Sequence, residues 1–557
     1  MGGEGGAQLP KPECTAAVDC DNADATDGAE ACVDGACRPG DAPPRVVSVS
    51  PAHEGKDAEP NVPVVIEFSE ALDPDSFMSD RVQLLDGSEP VPGELKYENG
   101  VATFVPERAL RLHGSYEVVV SASVTDEAGI ELVEPFRSTF TVRDGSWHLT
   151  EIPVKFSELA LQAPLTASGS VLLGWVGNGT NTCPVAAGWL ELGADQITPT
   201  TFAHSASSCG APLVAASGNS AVFAWNADGS SYLQQYRSSE WAKEATQATT
   251  NTQSWVAAVA TSPLGVVSRF ELANRVGGVR AQRTDETGAW QPAREELVAL
   301  DLRISSGLDV AFDAEGNGLA TFSVLDATAD RMQILVARYT ASVGKWAIAQ
   351  SIPGSLADLS DRTVGAPIVK MASTGEAMVV WPVGGWLKGS YYSPQDGWFS
   401  AEVVSGSISV QPTTEGAASL TYDGAEFVAA WFGEPEDGIR RAFTARYAPA
   451  EGWRTAEGHD AKPPLTLALH EPPQVVSDEH GGLLLVWRTR TPLGYPLARR
   501  RFIAGSWEPI VTFPGVMIPG RARLKATAMN QSGVASIPWP GENAAGEWVS
   551  IQVARFY

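Results

Sequence analysis

A pattern of alternating apolar runs, polar turns and tryptophans returns eight times between about Ala163 and Tyr557. The cleanest copy reads GAPLVAASGNSAVFAWNADGSSYLQQYRSSEW, from Gly210 to Trp241. It contains an alternating apolar segment, a small polar turn, a second apolar segment closing on Trp225, a loop, a third segment, and a Trp that opens a fourth. The corresponding second segments end on Trp175, Trp225, Phe270, Phe322, Trp381, Trp431, Trp487 and Trp539. Period-two alternation broken by Gly, Asn or Asp turns is the pattern of antiparallel strands.

The repeats are spaced by roughly 50 residues, the length of four short strands and hence of one β-propeller blade. Third segments recur as ILVARY at Tyr339, AFTARY at Tyr447, PLARRRF at Phe502 and SIQVARFY at the end of the sequence. A Trp then opens a fourth strand at Trp241, Trp290, Trp346, Trp398, Trp453 and Trp507. The last copy stops on its third strand, and RDGSWHLTEIPV around Trp147 reads as a fourth strand with no predecessor. A ring with an unpaired strand at each end leaves two edges open to aggregation. Residues 146–154 are therefore expected to complete the last blade. Eight blades are expected, with seven if the weak copy at Phe270 or Trp539 is not a blade.

The Trps sit at a fixed register in the blades, so packing between neighbouring sheets explains them better than a sugar-stacking platform. A chain of 557 residues exceeds one hydrophobic core. Its 39 basic and 66 acidic residues argue against nucleic acid, which needs a basic footprint. The acidity reads as solubility rather than as attraction for one cationic partner.

Cys14, Cys20, Cys32 and Cys37 stand in a segment nearly devoid of large apolar residues, where two disulfides in any of three connectivities are expected. A zinc site is the competitor, on spacings loose for it. Cys183 and Cys209 flank the fourth strand of the first blade, where a disulfide would replace the missing Trp. An oxidising compartment follows. No signal peptide or run of about 20 apolar residues is visible. Asp19, Asp21, Asp24 and Asp27 read as solvated turn acids rather than a Ca²⁺ site, since they miss the EF-hand pattern.

Three regions result: residues 1–41, a Gly-rich tether and Cys-rich module; 42–143, a β-sandwich; and 144–557, the propeller. The run VDCDNADATDGAEACVDGACRPG resembles the four-Cys modules of secreted myxobacterial proteins. The Gly-rich start before it is similar to bacterial surface lipoproteins after their lipidated Cys, which implies a mature chain and a lipid anchor. In the second region, SPAHEG, IEFSEALDPDSF, ATFVPERALRLHGSYEVVV and VTDEAG resemble the bacterial Ig-like domain of S-layer and other surface proteins. That resemblance implies a spacer or adhesion module that holds the propeller away from the surface. The fold class expected for the whole chain is all-β.

Loops joining strands two and three share a face with the links between blades, and rigid blades make such loops natural binding sites. Off the repeat register there stand Asn178, Asn181, Asn274, Trp386, Asp437, Arg440 and Tyr495, an aromatic, amide and charge set suited to a glycan or protein contact. No catalytic residue, metal site or cofactor is expected. The chain has no G-x-S-x-G, no phosphate loop and no H-E-x-x-H, since His53-Glu54 and His470-Glu471 lack a second His. The turns DAEGNG and SDEHGG are similar to the Asp-containing turns of sialidases but join strands one and two rather than three and four. Three functions stay open. The first is a non-enzymatic extracellular or outer-membrane binding or scaffolding protein that recognises a protein or glycan, with no nucleic-acid partner. The second is a polysaccharide hydrolase or lyase with paired carboxylates in the funnel. The third is a structural subunit of an envelope assembly, which needs a broad apolar patch.

Overall fold

The structure is a computed structural model. It describes residues 30–33, 36–39 and 43–557, apart from 79, 161–165, 167, 178–183, 203–208, 211, 219, 243–244, 250–253, 274–277, 299–302, 327–330, 359–364, 411–415, 460–465, 468–470, 493, 520–523 and 525. The chain divides into two compact units, Met1–Asp144 and Gly145–Tyr557. Both are built from strands, and among the described residues the 3-10 turn Pro74–Ser76 is the one helical element. No helix is long and apolar enough to cross a membrane.

In the first unit, the hairpin Glu30–Val33 and Ala36–Pro39 sets Cys32 opposite Cys37 along the backbone. Two sheets follow. One runs in the order 46–50, 64–68, 101–106, 93–98; the other runs 55–58, 136–142, 115–120, 82–86, 89–90. Strict alternation buries Val64, Ile66 and Phe68 from the first sheet and Tyr116, Val118 and Val120 from the second in one shared core. Tyr116 accepts the Arg111 N–H at 2.7 Å, and burial pushes its phenol up to about 12.

The second unit forms eight antiparallel sheets among the described residues. Their second strands are Val171–Gly177, Ser220–Ala227, Val267–Ala273, Gly318–Asp326, Ala377–Val383, Phe427–Glu434, Leu483–Arg490 and Ala535–Glu542, and the sheets are numbered in that order. From the second sheet to the eighth, each sheet's first strand lies against the next: 213–217, 254–261, 303–312, 368–371, 418–422, 474–477 and 528–529. The eighth sheet's Trp548–Phe556 then touches Phe156–Ala160 of the first, and the first sheet touches the second, so the arrangement is a closed, propeller-like ring.

Closure is made by the strand Trp147–Pro153, which runs antiparallel to Trp548–Phe556 from Trp147 opposite Phe556 to Pro153 opposite Ser550. Ser146 and Tyr557 exchange both backbone hydrogen bonds, at 2.9 and 3.1 Å. The buried Arg555 donates to the Glu191 carbonyl at 2.7 Å, to Thr150 Oγ1 at 3.0 Å and to the Ala194 carbonyl. One guanidinium thus ties the closing strand, the last sheet and the first. Asn530 adds a bond to the Thr166 carbonyl at 3.0 Å across the same seam.

The second-strand Trp225, Trp381, Trp431, Trp487 and Trp539 are buried, as a packing role requires. Five of the outer Trps form a second repeat, each packed against the last aromatic of its third strand, while Trp290 lies under the Arg269 guanidinium at 4.8 Å. Ring centres are 5.2 Å apart for Tyr236–Trp241, 5.4 Å for Tyr339–Trp346, 5.1 Å for Tyr392–Trp398, 5.3 Å for Tyr447–Trp453 and 5.2 Å for Phe502–Trp507. Trp147 and Phe556 make the same pair at 5.2 Å. Aromatic contacts of this kind contribute about 0.5–1.5 kcal/mol beyond the area they bury.

Two details differ from the sequence-based expectation. The outer strand does not run on from its Trp. In the fifth sheet Gly397–Trp398 breaks off, and Glu402–Val403 pairs afresh with the third strand. The short turn between Ser393 and Gly397 brings only two residues, Gly397 and Trp398, into the ladder before the chain diverges. The first sheet's first strand is Phe156–Ala160, upstream of Ala163, where the sequence pattern is expected to begin. Thr166 Oγ1 accepts the Ser170 N–H at 2.9 Å just before the second strand.

Candidate functional site

The ring has three places at which a partner or substrate can meet it: the central cavity, the face carrying the turns between strands one and two, and the opposite face. The cavity holds about 470 Å³ and is lined by residues 213–217, 257–261, 263, 308–312 and 526–528. These are innermost-strand residues and the ends of their turns, mostly Ala, Val and Leu, because adjacent blades converge there and leave room only for short side chains. Among the described residues Asp309 is the one carboxylate in that lining. Its Oδ2 accepts the Val369 N–H at 2.9 Å, so it braces the first strand of the fifth sheet. Ser419 does the same for Val475 N–H at 2.9 Å, and Ser231 for Val256 N–H at 3.0 Å. Buried polar groups here join neighbouring sheets, as low dielectric demands of any buried donor or acceptor.

On the face of the strand one-to-two turns, side-chain oxygens close the backbone. Asp313 Oδ1 accepts from Asn317 N–H at 2.8 Å, and Asp478 Oδ1 from His480 and Gly482 N–H, both at 2.8 Å. Asn530 Oδ1 accepts from Ser532 and Val534 N–H at 3.0 and 3.1 Å. The Asp turns noticed in sequence are thus self-capping turns of an ordinary kind. Among the described residues no three His, Cys, Asp or Glu side chains gather as a metal cage.

The opposite face carries the residues singled out in sequence. Trp386 follows the turn Gly384–Gly385, whose φ angles of +57° and +82° make a tight two-residue hairpin that glycine supports without strain. The indole stands 41% exposed. Asp437 and Arg440 share the next sheet's hairpin but not a partner. Asp437 accepts the Ile439 N–H at 2.9 Å and pairs with Arg441 at 2.5 Å, and these two contacts hold its carboxyl below the usual range. Arg440 pairs with Glu434 at 2.6 Å. Both charges are engaged in shaping their own turn.

Tyr495 lies on the seventh sheet, its ring 5.9 Å from the Arg488 guanidinium. Arg488 is buried and paired with the buried Glu471 at 2.9 Å, and it donates to the Pro519 carbonyl at 3.1 Å. Burial lowers the pKa of Arg488, against the pull of Glu471. Glu471 in turn accepts the Leu524 N–H. This pair fastens the seventh sheet to the links on both sides of it, a role that sequence reasoning missed. Nothing in HEPPQ or VWRTR signals that the two charges meet.

Asn178, Asn181 and Asn274 lie outside the described residues, as do Cys14, Cys20 and Cys183. Asp19, Asp21, Asp24 and Asp27 lie there too. The side chains of Cys32 and Cys37 are likewise outside the description. Cys209 is disulfide-bonded and forms a backbone bridge with Ala227.

Residues 40–142 match the family of bacterial Ig-like domains. No curated protein matches the chain in sequence. Among solved structures it is similar to the polysaccharide lyase Uly1 at 10% identity and TM-score 0.39, over 62% of this chain and 89% of the lyase. It is similar to YCF48 bound to D1 peptide at 12% identity and TM-score 0.34, over 61% of this chain and 91% of that one. It is also similar to an α-L-arabinanase of Penicillium chrysogenum at 11% identity and TM-score 0.32, over 53% and 91%. At these scores the likenesses carry no functional weight.

Proposed function

We propose that the chain is a non-enzymatic binding or scaffolding protein of the bacterial cell surface. Its second unit is an eight-bladed propeller that recognises a protein or glycan, with the Ig-like unit and the N-terminal Cys-rich module as a stalk. The observation that carries this reading is the cavity lining, in which Asp309 is the single carboxylate among the described residues and already braces Val369. Glycoside hydrolysis needs two carboxyl groups about 5–10 Å apart. The bacterial Ig-like match over residues 40–142 supports a surface location. The eight sheets and the repeated aromatic pair support the blade count. The cysteines of the N-terminal module pair with one another, and Cys209 pairs with Cys183. A lipid-modified cysteine upstream anchors the mature chain.

The test is retention of ligands from a glycan array and of proteins from an envelope extract by the purified chain, alongside a reducing-end assay on a panel of polysaccharides. Retention with no new reducing ends is the expected result. New reducing ends, or retention from neither source, overturn the reading.

A further inference from the structure

Twelve large apolar side chains of the ring are exposed among the described residues. Two of them, Trp386 and Val403, lie at one seam, between the fourth and fifth sheets. In the fifth sheet Val383 pairs with Trp386, Trp381 with Lys388, and Lys388 with Val403, so all five side chains stand on one side of the sheet. That side packs on the fourth sheet, where Trp381 and Val383 join Met332, Ile352 and Ala357 in a single buried cluster. The segment carrying Ile352 and Ala357 runs beside the fifth sheet's outer edge, with Ala401 N–H donating to the Pro353 carbonyl at 3.0 Å. Val403 at that edge is 46% exposed. The core of the seam therefore continues outward into an uncovered apolar edge made by Trp386 and Val403.

Lys388 lies directly opposite Val403 and next to Trp386 along the same face of their shared strand. No carboxylate is paired with it among the described residues. Any partner that covers Trp386 and Val403 also strips water from this ammonium, and an unpaired charge taken out of water is costly. The occupant must bring an acid. A branched aliphatic side chain beside the indole suits apolar side chains, whereas a sugar ring needs aromatic faces and hydroxyl partners. Resting on the binding reading above, we infer that this seam is the docking site for a protein segment that presents apolar side chains flanking an Asp or Glu. The chain's net charge of −27 does not oppose this at contact, because salt screens charges beyond about 8 Å.

The probe is a displayed library of random peptides selected on the full immobilised chain, with polygalacturonate as a second, acidic but non-protein ligand. Selected peptides should carry Asp or Glu among apolar residues. Their affinity should fall about tenfold in Trp386→Ala, the loss of an aromatic anchor. It should fall further in Lys388→Glu, and that loss should shrink as salt is raised. Leu264→Ala, on the other face of the ring, should leave it unchanged, and melting curves of all three variants should match the parent. Peptides that bind all three variants equally overturn the seam while leaving the binding reading intact. Polygalacturonate bound through Trp386 and Lys388 in place of peptides overturns the protein occupant. If the parent chain selects no peptide and binds no polymer, this inference falls, and the retention experiment above then decides separately whether the binding reading falls with it.

Discussion

The fifth and eighth sheets are built to the same plan from differently connected chain. In the fifth, Trp398 reaches Tyr392 through the short turn at Ser393–Gly397, and the ring centres are 5.1 Å apart. In the eighth, Trp147 reaches Phe556 with hundreds of residues between them, and the rings are 5.2 Å apart. The aromatic contact is the same, but what surrounds it is not. The fifth sheet's outer edge consists of two stubs of two residues each, Gly397–Trp398 and Glu402–Val403. The eighth sheet's is one seven-residue strand with an unbroken ladder, a terminal Ser146–Tyr557 pair and the buried Arg555. A tight turn holds its own strand close at almost no entropic cost, so two paired residues suffice. A strand arriving from far along the chain must offset the closure of a long loop, and a full ladder with an arginine clamp does so.

The comparison breaks most readily at Ile152. Ser146 and Val154 both donate their N–H groups to the last strand, so by period two the N–H of Ile152 points the same way, toward Ile551. Ile152→Pro removes that bond from the middle of the ladder and should cost about 3 kcal/mol or more. It should also expose both edges of the ring. Urea unfolding monitored by tryptophan fluorescence, with light scattering for aggregation, reads both effects. A variant that stays monomeric with an unshifted midpoint would show that the ring does not depend on its closing strand.

Arg555→Met keeps most of the side-chain volume and removes the donors to Glu191, Thr150 and Ala194. The buried Thr150 hydroxyl and two partly buried carbonyls lose their donor, and a loss of about 3 kcal/mol is expected. The paired variants Trp147→Ala and Trp398→Ala then sharpen the contrast. Each deletes one ring of an equivalent pair. Trp147 also sits on Phe513 at 4.8 Å and under Arg499 at 4.9 Å, contacts that reach into the seventh sheet. Trp147→Ala should therefore cost about 3–4 kcal/mol and Trp398→Ala about 1 kcal/mol less. Equal losses would mean that chain connectivity, and not the added contacts, sets the demand on the outer strand.

Much of this was legible in the sequence because aromatic residues mark the register. The closing strand could be read from Trp147, since the outer strands of six copies carry a Trp at the same point and the last copy lacks one. The split of the outer strands was not legible. Nothing in YYSPQDGWFSAEVV distinguishes one continuous strand from two stubs, because either leaves the same alternation. At the candidate site, register pointed to Trp386 but not to Val403 or Lys388. Those two sit on strands where an apolar or basic residue looks like ordinary packing, and their exposure depends on how far the neighbouring sheet extends. Asp437 and Arg440 looked like contact residues because they are charged and lie in a turn. Their partners, Arg441 and Glu434, stand within six residues in sequence, and local pairing of that kind is the default for a charged hairpin.

The smallest effect separates the closing seam from an interior one by pH. Between the sixth and seventh sheets, Arg500 donates to His459 Nδ1 at 2.7 Å, and His459 Nε2 meets Thr444 Oγ1 at 2.8 Å. Arginine has only donors, so Nδ1 must accept and the ring proton must sit on Nε2, which leaves the imidazole neutral. Burial first, then the Arg500 charge, lowers its pKa from the ordinary 6.5 to about 3. The unfolded chain therefore takes up a proton near pH 6.5 that the folded chain refuses until about pH 3, and stability must fall as pH drops through that window. At pH 5 the loss from this one group is about 2 kcal/mol relative to pH 7. Other groups titrate in the same range, so the measurement is a difference: urea midpoints of the parent and of His459→Gln at pH 7 and pH 5. The amide side chain of that variant would accept from Arg500 and donate to Thr444 with no proton to gain, so the gap between the two proteins should narrow or reverse on acidification. The same pair of measurements on Arg555→Met should show a gap that does not change, because the clamp at the closing seam carries an arginine that stays charged at both pH values. A gap at His459 that is constant from pH 7 to pH 5 would mean that the imidazole reaches solvent and that the interior seam is looser than the closing one.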